Sequence, residues 1–334
     1  MDVPVWVWFV TVAVILAMLA VDFVGHVRVP HAPTMRESAW WSAAYVAVAL
    51  VFGLVVWAGW GGGFAGEYFA GYVTEKSLSV DNLFVFVLIM ATFRVPRLLQ
   101  QKVLLLGITV ALVLRTVFIL LGAALVENFS WIFYLFGAFL LWTAWSQLKH
   151  ARGGADEEYH ENGLLRLVRR TLPVTEDYVE GRMVVRQAGR WLVTPLLVVM
   201  LAIGSADLLF AVDSIPAIFG LTQETYLVFA ANAFSLLGLR QLYFLVDGLL
   251  DRLVYLAYGL AAILAFIGVK LVLHALHTNE LPFVNGGEHV DVPEVSTALS
   301  LGYIVVVLAV TTGLSLWADR RRRELAGTRT DRGA

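Results

Sequence analysis

Four acidic residues stand in two short motifs of equal spacing within otherwise apolar sequence. The first motif, EKSLSVDNLFVF, begins at Glu75 and carries Asp81 six residues later. The second motif, DLLFAVDSIPAI, begins at Asp207 and carries Asp213 at the same interval. A charged side chain at the centre of a bilayer costs roughly 3 kcal/mol even on insertion scales, so each carboxylate needs a partner, a water-filled cavity or a cation. The duplicated pattern predicts one polar site built from both motifs.

The side chains that the two motifs offer to a ligand all carry oxygen. The candidate metal ligands are Glu75, Asp81, Asn82, Asp207, Asp213 and Ser214. Neither motif contains histidine, and an oxygen-only set suits Mg²⁺, Mn²⁺ or Ca²⁺ better than Zn²⁺ or Cu⁺. Four carboxylates around one divalent ion leave net negative charge, which makes protonation of one of them, and hence exchange of metal for protons, a natural mechanism. The metal is expected as a transported substrate, and no cofactor is expected.

The spacing within each motif sets a geometric condition on such a site. Six residues along an unbroken α-helix turn two side chains about 120° apart around the axis. A break inside each motif would let both acids point into one cavity, and we expect such breaks. The alternative is that the acids form buried ion pairs with Lys76, Arg115 and Arg240. For the two arginines, pairing with a carboxylate or a helix end is predicted over contact with substrate.

The composition places these motifs in a membrane protein. Of the 334 residues, 59% are hydrophobic and 15% are charged, and the mean hydropathy is +0.76. Soluble domains average about 25% charged residues. The chain has no cysteine, which excludes disulfides, thiolate metal sites and cysteine nucleophiles. Neither a phosphate-binding loop nor a nucleophile–base pair is present, so neither an ATP-driven pump nor an enzyme is predicted. The expected partners are a divalent metal ion and the lipid bilayer, and nucleic acid is not an expected partner.

Apolar stretches of about 20 residues, long enough to cross a ~30 Å hydrocarbon core, predict nine spans. They lie near 4–24, 39–59, 66–93, 103–123, 129–148, 192–214, 225–247, 253–274 and 297–317. Connections with and without lysine or arginine alternate along the whole chain, which supports this count. By the positive-inside rule the N-terminus is outside and the C-terminus is cytoplasmic.

The connections are expected to be solvated. Residues 149–191 are predicted to be a cytoplasmic loop, with an amphipathic helix at 162–170, and residues 318–334 a basic cytoplasmic tail. The outer connection near His274 and His277 is interpreted as a solvated loop rather than as a metal-collecting one. Asp22, near the cytoplasmic end of the first span, has two open interpretations: it lines an ion path, or it reaches to the interface.

The order of features repeats along the chain. Each acidic motif is followed by a span with an arginine, Arg115 or Arg240, and then by a span that ends in a lysine, Lys149 or Lys270. Each unit contains three spans, and an odd number forces the two copies into opposite orientations. The predicted fold is therefore an all-α polytopic membrane bundle with an inverted 3+3 repeat. Substrate sites of such folds lie near the midplane, between the repeats.

Three segments resemble the TerC family of membrane proteins. They read GEYFAGYVTEKSLSVDNLFVF at 66–86, DLLFAVDSIPAIFGLT at 207–222 and FAANAFSLLGLRQLYFLVDGLLDRLVYL at 229–256. The architecture is similar to the Alx branch, and the likeness extends over nearly the whole chain. The resemblance implies a bacterial inner-membrane protein of the LysE-type exporter superfamily that exports manganese. The motif positions that match are Glu75, Asp81, Asn82, Asp207 and Asp213. Gly204 departs from the family, whose members often carry an acid there, and this puts affinity or coupling stoichiometry in question.

The predicted function is export of a divalent metal, with Mn²⁺ as the expected ion, by alternating access in exchange for protons. The direction of transport is implied by the resemblance alone. Ca²⁺ or Mg²⁺ transport stays open, because an oxygen-only site does not separate these hard ions. A further alternative is a membrane scaffold of a tellurium- or stress-resistance complex or of a protein-insertion complex, which would use the loop at 149–191 for docking.

Overall fold

A computed structural model describes residues 1–27, 34–129, 131–153, 173–175, 177–179, 181–187, 190–246, 255–282 and 284–330. The helices are α1 (Val5–Val27), α2 (Met35–Trp60), α3 (Gly62–Thr92), α4 (Arg97–Asn128), α5 (Ile132–Gly153), α6 (Pro195–Phe219), α7 (Thr225–Leu236), α8 (Leu239–Val246), α9 (Leu256–His277) and α10 (Thr297–Thr330). Two strands, β1 (Val184–Gln187) and β2 (Arg190–Val193), form one antiparallel hairpin, and a short 3₁₀ turn covers Asn285–Gly287.

The all-α membrane bundle that the sequence predicts is confirmed. In the described ranges, seven segments are helical, long and apolar enough to cross a membrane: α1, α2, α4, α6, α7 together with α8, α9 and the first part of α10. The other two predicted spans coincide with α3 and α5, which are also long helices. Charged residues interrupt α3. In α5, tryptophans and the polar residues near its C-terminal end lower the mean hydropathy.

Local signals in the sequence set the start of α2 and its junction with α3. Thr34 caps α2, because its hydroxyl accepts a hydrogen bond from the backbone N–H of Glu37 at 3.2 Å. A threonine followed three residues later by glutamate is the sequence pattern of such a cap. Gly61, with a φ of 95°, is the single residue between α2 and α3. The chain therefore turns sharply before α3, the helix that carries the first acidic motif.

The packing pairs follow the order of the two repeat units. Helix α3 packs against α7, and α6 packs correspondingly against α4. Helices α5 and α9, the last helices of the two units, pack on each other along their length. A two-fold relation between the units would produce this exchange of partners. Helices α1, α2 and α10 lie outside this group and expose large apolar side chains such as Phe9, Leu54 and Val306.

The contact between α5 and α9 is a close backbone approach. A Cβ placed on Gly137 would lie 2.9 Å from the carbonyl oxygen of Gly268, and a Cβ on Gly268 would lie 3.1 Å from the carbonyl oxygen of Gly137. Small residues at a membrane helix interface let the two backbones come this close. These two glycines therefore fix the spacing of the last helices of the repeat units.

The seventh predicted span is broken in two. Helix α7 ends at Leu236 and α8 begins at Leu239, with Gly238 between them at a φ of 83°. A side chain at Gly238 would be strained at this φ, and its Cβ would lie 3.0 Å from the Cβ of Tyr45. The break therefore depends on glycine, both for its backbone conformation and for its contact with α2.

Part of the connection predicted as a solvated loop is folded against the bundle. The hydroxyl of Tyr178 donates a hydrogen bond to the carbonyl of Phe93 at 2.9 Å, and the ammonium of Lys102 donates one to the carbonyl of Gly181 at 2.7 Å. Burial raises the pKa of the Tyr178 hydroxyl above its ordinary value, which extends the pH range over which it donates this bond. The hairpin of β1 and β2 is thus part of a segment docked on the α3–α4 connection. The amphipathic helix predicted at 162–170 lies outside the described residues.

The predicted basic tail does not begin as a separate segment. Helix α10 continues to Thr330, well past the predicted end of the ninth span at residue 317. Arg321 lies over the ring of Trp317 at 4.4 Å from the ring centroid. The first part of the tail is therefore a helical extension of the last span.

Candidate functional site

A fully buried arginine on α4 joins the two acidic motifs. Arg115 donates from Nε and Nη2 to the two carboxylate oxygens of Asp207, each at 3.0 Å. Its Nη1 donates to Glu75 and also, at 3.2 Å, to the hydroxyl of Ser214. Arg115 and Glu75 are both 0% exposed, and Asp207 is 1% exposed. We call these four residues the Arg115 cluster.

The helical repeat explains which motif residues reach Arg115. Asp207 and Ser214 are seven residues apart on α6, which brings them to the same face about two turns apart. Glu75 and Asn82 have the same relation on α3, and both side chains are buried. Each motif therefore presents an acid and a polar residue on one inward face.

The breaks expected inside the motifs are absent. Helix α3 is continuous from Gly62 to Thr92, and α6 is continuous from Pro195 to Phe219, with Pro216 in its last turn. Asp213 accordingly points about 120° away from Asp207 around α6, and it is only half-buried. The expectation was wrong because the acids that meet come one from each helix, so neither helix has to bend.

The structure brings together three of the six predicted ligands, Glu75, Asp207 and Ser214. Asn82 lies buried farther along α3. Asp81 belongs to α3, but its side chain lies outside the described part of the structure. Pairing of Arg115 with carboxylates, predicted from the sequence, is confirmed.

Further polar atoms are buried on α3 and α7 without a hydrogen-bond partner among the described residues. They are Oε2 of Glu75, the hydroxyls of Thr74, Ser79 and Ser235, and both amide atoms of Asn232. Buried polar groups are normally paired, so an orphaned group calls for a functional or structural reason. Asn232 is 1% exposed and was missed as a candidate. An isolated asparagine in the apolar run FAANAFSL was the available signal.

Lys76 lies beside Glu75 in sequence but does not join the cluster. Its ammonium donates a hydrogen bond to the backbone carbonyl of Ser235 at 3.0 Å. Ser235 belongs to the last turn of α7, immediately before the break at Gly238. Lys76 thus satisfies a carbonyl that the interrupted helix leaves without its usual intrahelical donor.

A second buried arginine, Arg240 on α8, pairs with a helix outside the repeat. It donates from Nη2 to Asp22 on α1 at 2.7 Å, and Gln241 donates to the same carboxylate oxygen at 2.9 Å. Nε and Nη1 of Arg240 have no hydrogen-bond partner in the ranges that are described. The predicted pairing of Arg240 is confirmed, and Asp22 is buried in an ion pair rather than reaching to the interface.

A cavity of about 370 Å³ opens at the end of the bundle where α3 begins and α6 ends. Five ionisable residues line it: Glu67, Glu224, Lys270, His274 and Glu294. Glu67 accepts a hydrogen bond from Thr222 at 2.6 Å. Glu67 precedes Glu75 by eight residues, or about 12 Å along α3, so the cavity is separate from the Arg115 cluster. We call this cavity the vestibule.

Histidines at the same end of the bundle make local contacts. His274 shares a hydrogen bond of 2.7 Å with Gln223, and His277 lies 3.4 Å from Glu294. Within the described residues, no group of three or more histidine, aspartate or glutamate side chains is arranged to hold a metal ion. In this conformation two of the motif acids, Glu75 and Asp207, contact Arg115.

Comparison with known proteins gives relatives along almost the whole chain. The chain is 53% identical over 331 residues to uncharacterized membrane protein Rv2723 of Mycobacterium tuberculosis, covering 98% of this chain and 83% of that one. It is 42% identical over 266 residues to uncharacterized membrane protein STKORF319 of Myxococcus xanthus, covering 80% and 83%. It is 37% identical over 333 residues to the "Putative membrane-bound redox modulator Alx" of Escherichia coli K12, covering 96% and 97%.

No solved structure gives a significant match. The profile of the family described as "Integral membrane protein TerC family" matches residues 60–323, a range that includes both acidic motifs and Arg115. The match covers well over half of the chain and agrees with the multi-pass helical bundle. The chain therefore belongs to the TerC family of integral membrane proteins.

Proposed function

We propose that this protein is a secondary transporter that exports a divalent metal ion, with Mn²⁺ as the expected substrate, across the bacterial inner membrane. The observation that carries the proposal is the meeting of Glu75 and Asp207 inside the bundle. The two carboxylates come from the two repeat units, and both are buried. Inverted-repeat transporters place their substrate sites at such an interface.

The chemistry of the donors supports a hard divalent cation. The six proposed ligands, Glu75, Asp81, Asn82, Asp207, Asp213 and Ser214, offer only oxygen. Asn232 adds a buried amide oxygen on α7, the helix that packs against α3. Such a set suits Mn²⁺, Mg²⁺ and Ca²⁺, and Mn²⁺ is preferred because of the resemblance to the Alx branch.

The vestibule supports a route for the metal ion. With the N-terminus outside, as the distribution of lysine and arginine predicts, the vestibule opens to the exterior. Glu224 pairs there with the N-terminal ammonium of Met1, and the other two glutamates, Glu67 and Glu294, outnumber the lysine among the described lining residues, Lys270. A cleft of excess negative charge attracts cations and gives a metal ion a passage between the bundle and the exterior, while the outward direction rests on the resemblance. Alternating access would connect this cleft with the Arg115 cluster, and protons would move in exchange.

The name of the Escherichia coli relative suggests a role in redox balance for that protein. This chain has no cysteine, so such a role here would not pass through thiol chemistry. Movement of a metal ion needs no thiol. A transporter assignment is therefore compatible with the relatives and needs neither a catalytic residue nor a resident cofactor.

The test is cellular manganese content, measured by elemental analysis in manganese-sensitive bacteria that express the protein. The parent should lower cellular manganese. The variants Asp81→Asn, Asp213→Asn and Asp207→Asn should not, at equal abundance in the membrane. Glu127→Gln is the matched control, because Glu127 is an exposed carboxylate on α4, the helix of Arg115, and this variant should export like the parent.

Other outcomes have definite meanings. A change in Ca²⁺ or Mg²⁺ with unchanged manganese would keep the transporter and replace its substrate. If the parent and the variants all left the ion contents unchanged, transport would be contradicted. The alternative function, a membrane scaffold of a protein complex, would then be favoured. Manganese uptake in place of loss would reverse the proposed direction.

A further inference from the structure

Arg115 forms hydrogen bonds with three of the side chains that are proposed to bind the metal. Its guanidinium engages both oxygens of Asp207, one oxygen of Glu75 and the hydroxyl of Ser214. Of the four carboxylate oxygens in this group, only Oε2 of Glu75 has no hydrogen-bond partner in the described structure. A divalent cation held by Glu75 and Asp207 would need oxygens that the guanidinium already uses.

The Arg115 guanidinium and a divalent metal ion compete for Glu75 and Asp207, because both are positively charged. Arginine stays protonated in proteins, and Arg115 is 0% exposed, so water does not screen its charge. A divalent ion beside a paired Arg115 would meet strong like-charge repulsion at low dielectric. Departure of the metal would conversely leave two buried carboxylates without a cation.

We propose that Arg115 is a tethered counter-cation. Its guanidinium pairs with Glu75 and Asp207 while the transporter is empty, and it moves away from these carboxylates when metal binds. The inference rests on the proposed function. The two carboxylates and the guanidinium together carry one net negative charge. One proton, rather than two, is then enough to neutralise this group when the empty site returns across the membrane.

A purely structural Arg115 would behave differently. If the residue only stabilised the fold, its replacement would weaken metal binding or reduce every transport activity together. A competing cation gives the opposite signature. Its removal strengthens metal binding, because the metal no longer has to displace it, and selectively slows the step in which the empty site reorients.

The experiment uses the purified full-length protein in liposomes, with Arg115→Gln and Arg115→Lys. One readout is the Kd for Mn²⁺, from the electron paramagnetic resonance signal of free Mn²⁺. The other is the ratio of two fluxes: exchange of radioactive for unlabelled manganese, which needs no empty return, and net flux into metal-free buffer, which does. Arg97→Gln, an exposed arginine on the same helix, is the matched control.

For Arg115→Gln we expect at least about tenfold tighter Mn²⁺ binding, because a like charge is removed from the site. Exchange should persist while net flux falls about tenfold or more, since the empty site would return with bare carboxylates. Arg115→Lys keeps the charge but loses the two-point contact with Asp207. It should bind Mn²⁺ several-fold tighter and keep more net flux than the glutamine variant. Arg97→Gln should match the parent in both readouts.

Several results would overturn the inference. An equal loss of exchange and net flux, or a Kd that is unchanged or weaker, would make Arg115 a structural residue. If Arg115→Gln does not fold, Arg115→Lys decides on the Kd, because a structural role predicts weaker or equal binding there. Failure of the proposed function would look different: the parent itself would neither bind nor move Mn²⁺.

Discussion

Two arginines that are buried in the described part of the bundle, Arg115 and Arg240, follow corresponding motifs of the repeat, yet their contacts differ. Arg115 donates from all three of its guanidinium nitrogens and joins α3 to α6. Arg240 donates from one nitrogen, to Asp22 on α1, a helix outside the repeat. Arg115 therefore lies where the repeat units meet, and Arg240 fastens a peripheral helix to one of them. The same residue type at related positions joins the two repeat units at the proposed metal site in one case and attaches a peripheral helix in the other.

The largest expected effect is on the stability of the Arg115 cluster. Arg115→Leu would leave Glu75 and Asp207 buried without their cation, and breaking a buried ion pair in this way costs about 3–5 kcal/mol. A double-mutant cycle with Asp207→Asn, read by thermal unfolding in detergent, should give a strong coupling. The corresponding cycle of Arg240→Leu with Asp22→Asn should give a weaker one. Equal couplings would remove the distinction between the two sites.

Asp22→Asn tests the structural role of the contact between Arg240 and α1. The variant removes the charge that Arg240 contacts, and loss of a hydrogen bond to a charged group costs about 1.5–3 kcal/mol. Manganese flux per folded molecule should stay near that of the parent, because Asp22 is not part of the proposed path. Unfolding temperature and flux measured on one preparation separate the two effects. A loss of flux without a loss of stability would move Asp22 into the path.

Gly204→Asp tests the proposed metal site at the Arg115 cluster. Gly204 precedes Asp207 by nearly one helical turn, and a Cβ there would lie 3.8 Å from Val110, an ordinary contact. A carboxylate at this position would add a ligand or a proton carrier close to the Arg115 cluster. We expect the Kd for Mn²⁺ to fall severalfold, in line with its dependence on ligand charge. Gly204→Ala is the control and should leave the Kd unchanged; an equal change in both would trace the effect to backbone packing.

The smallest expected effect is at the docked hairpin, whose segment contacts Lys102, about 20 Å along α4 from Arg115. Tyr178→Phe removes one hydrogen bond to the carbonyl of Phe93, which contributes about 1 kcal/mol. Limited proteolysis of the connection after α5 should become faster. Manganese flux should be unchanged. A large loss of flux would show that the docked segment controls the helix of Arg115.

The sequence was sufficient to predict the helical class and the membrane location, because length, apolarity and charge alternation determine both. It also identified Glu75, Asp207 and Ser214 and the pairing of the arginines, since buried charge requires a partner. The helix breaks expected from the spacing were wrong. Acids six residues apart on one continuous helix do not share a face, and the bundle instead joins residues seven apart, such as Asp207 and Ser214, with a partner from another helix.

Other features were beyond sequence reasoning because they depend on tertiary contacts. The break at Gly238 depends on packing against Tyr45, and the glycine alone could equally have stayed within a helix. Asn232 is an isolated polar residue in an apolar run, but its burial with both amide atoms unpaired in the described part is visible only in the structure. The docked hairpin depends on Lys102 and Tyr178, whose partners are backbone carbonyls and leave no pattern of side chains.

The end of α7 has a consequence for genetics. Where this helix stops at Leu236, its last turn presents backbone carbonyls inside the bundle, and Lys76 contacts the carbonyl of Ser235. The C-terminal end of a helix carries partial negative charge, which attracts cations. A metal ion that passes this point would then meet backbone carbonyl oxygens, which a substitution at Ser235 does not remove. Alanine scanning would report such a contact as silent, so any map of the path built from side-chain variants alone should show a gap at this end of α7.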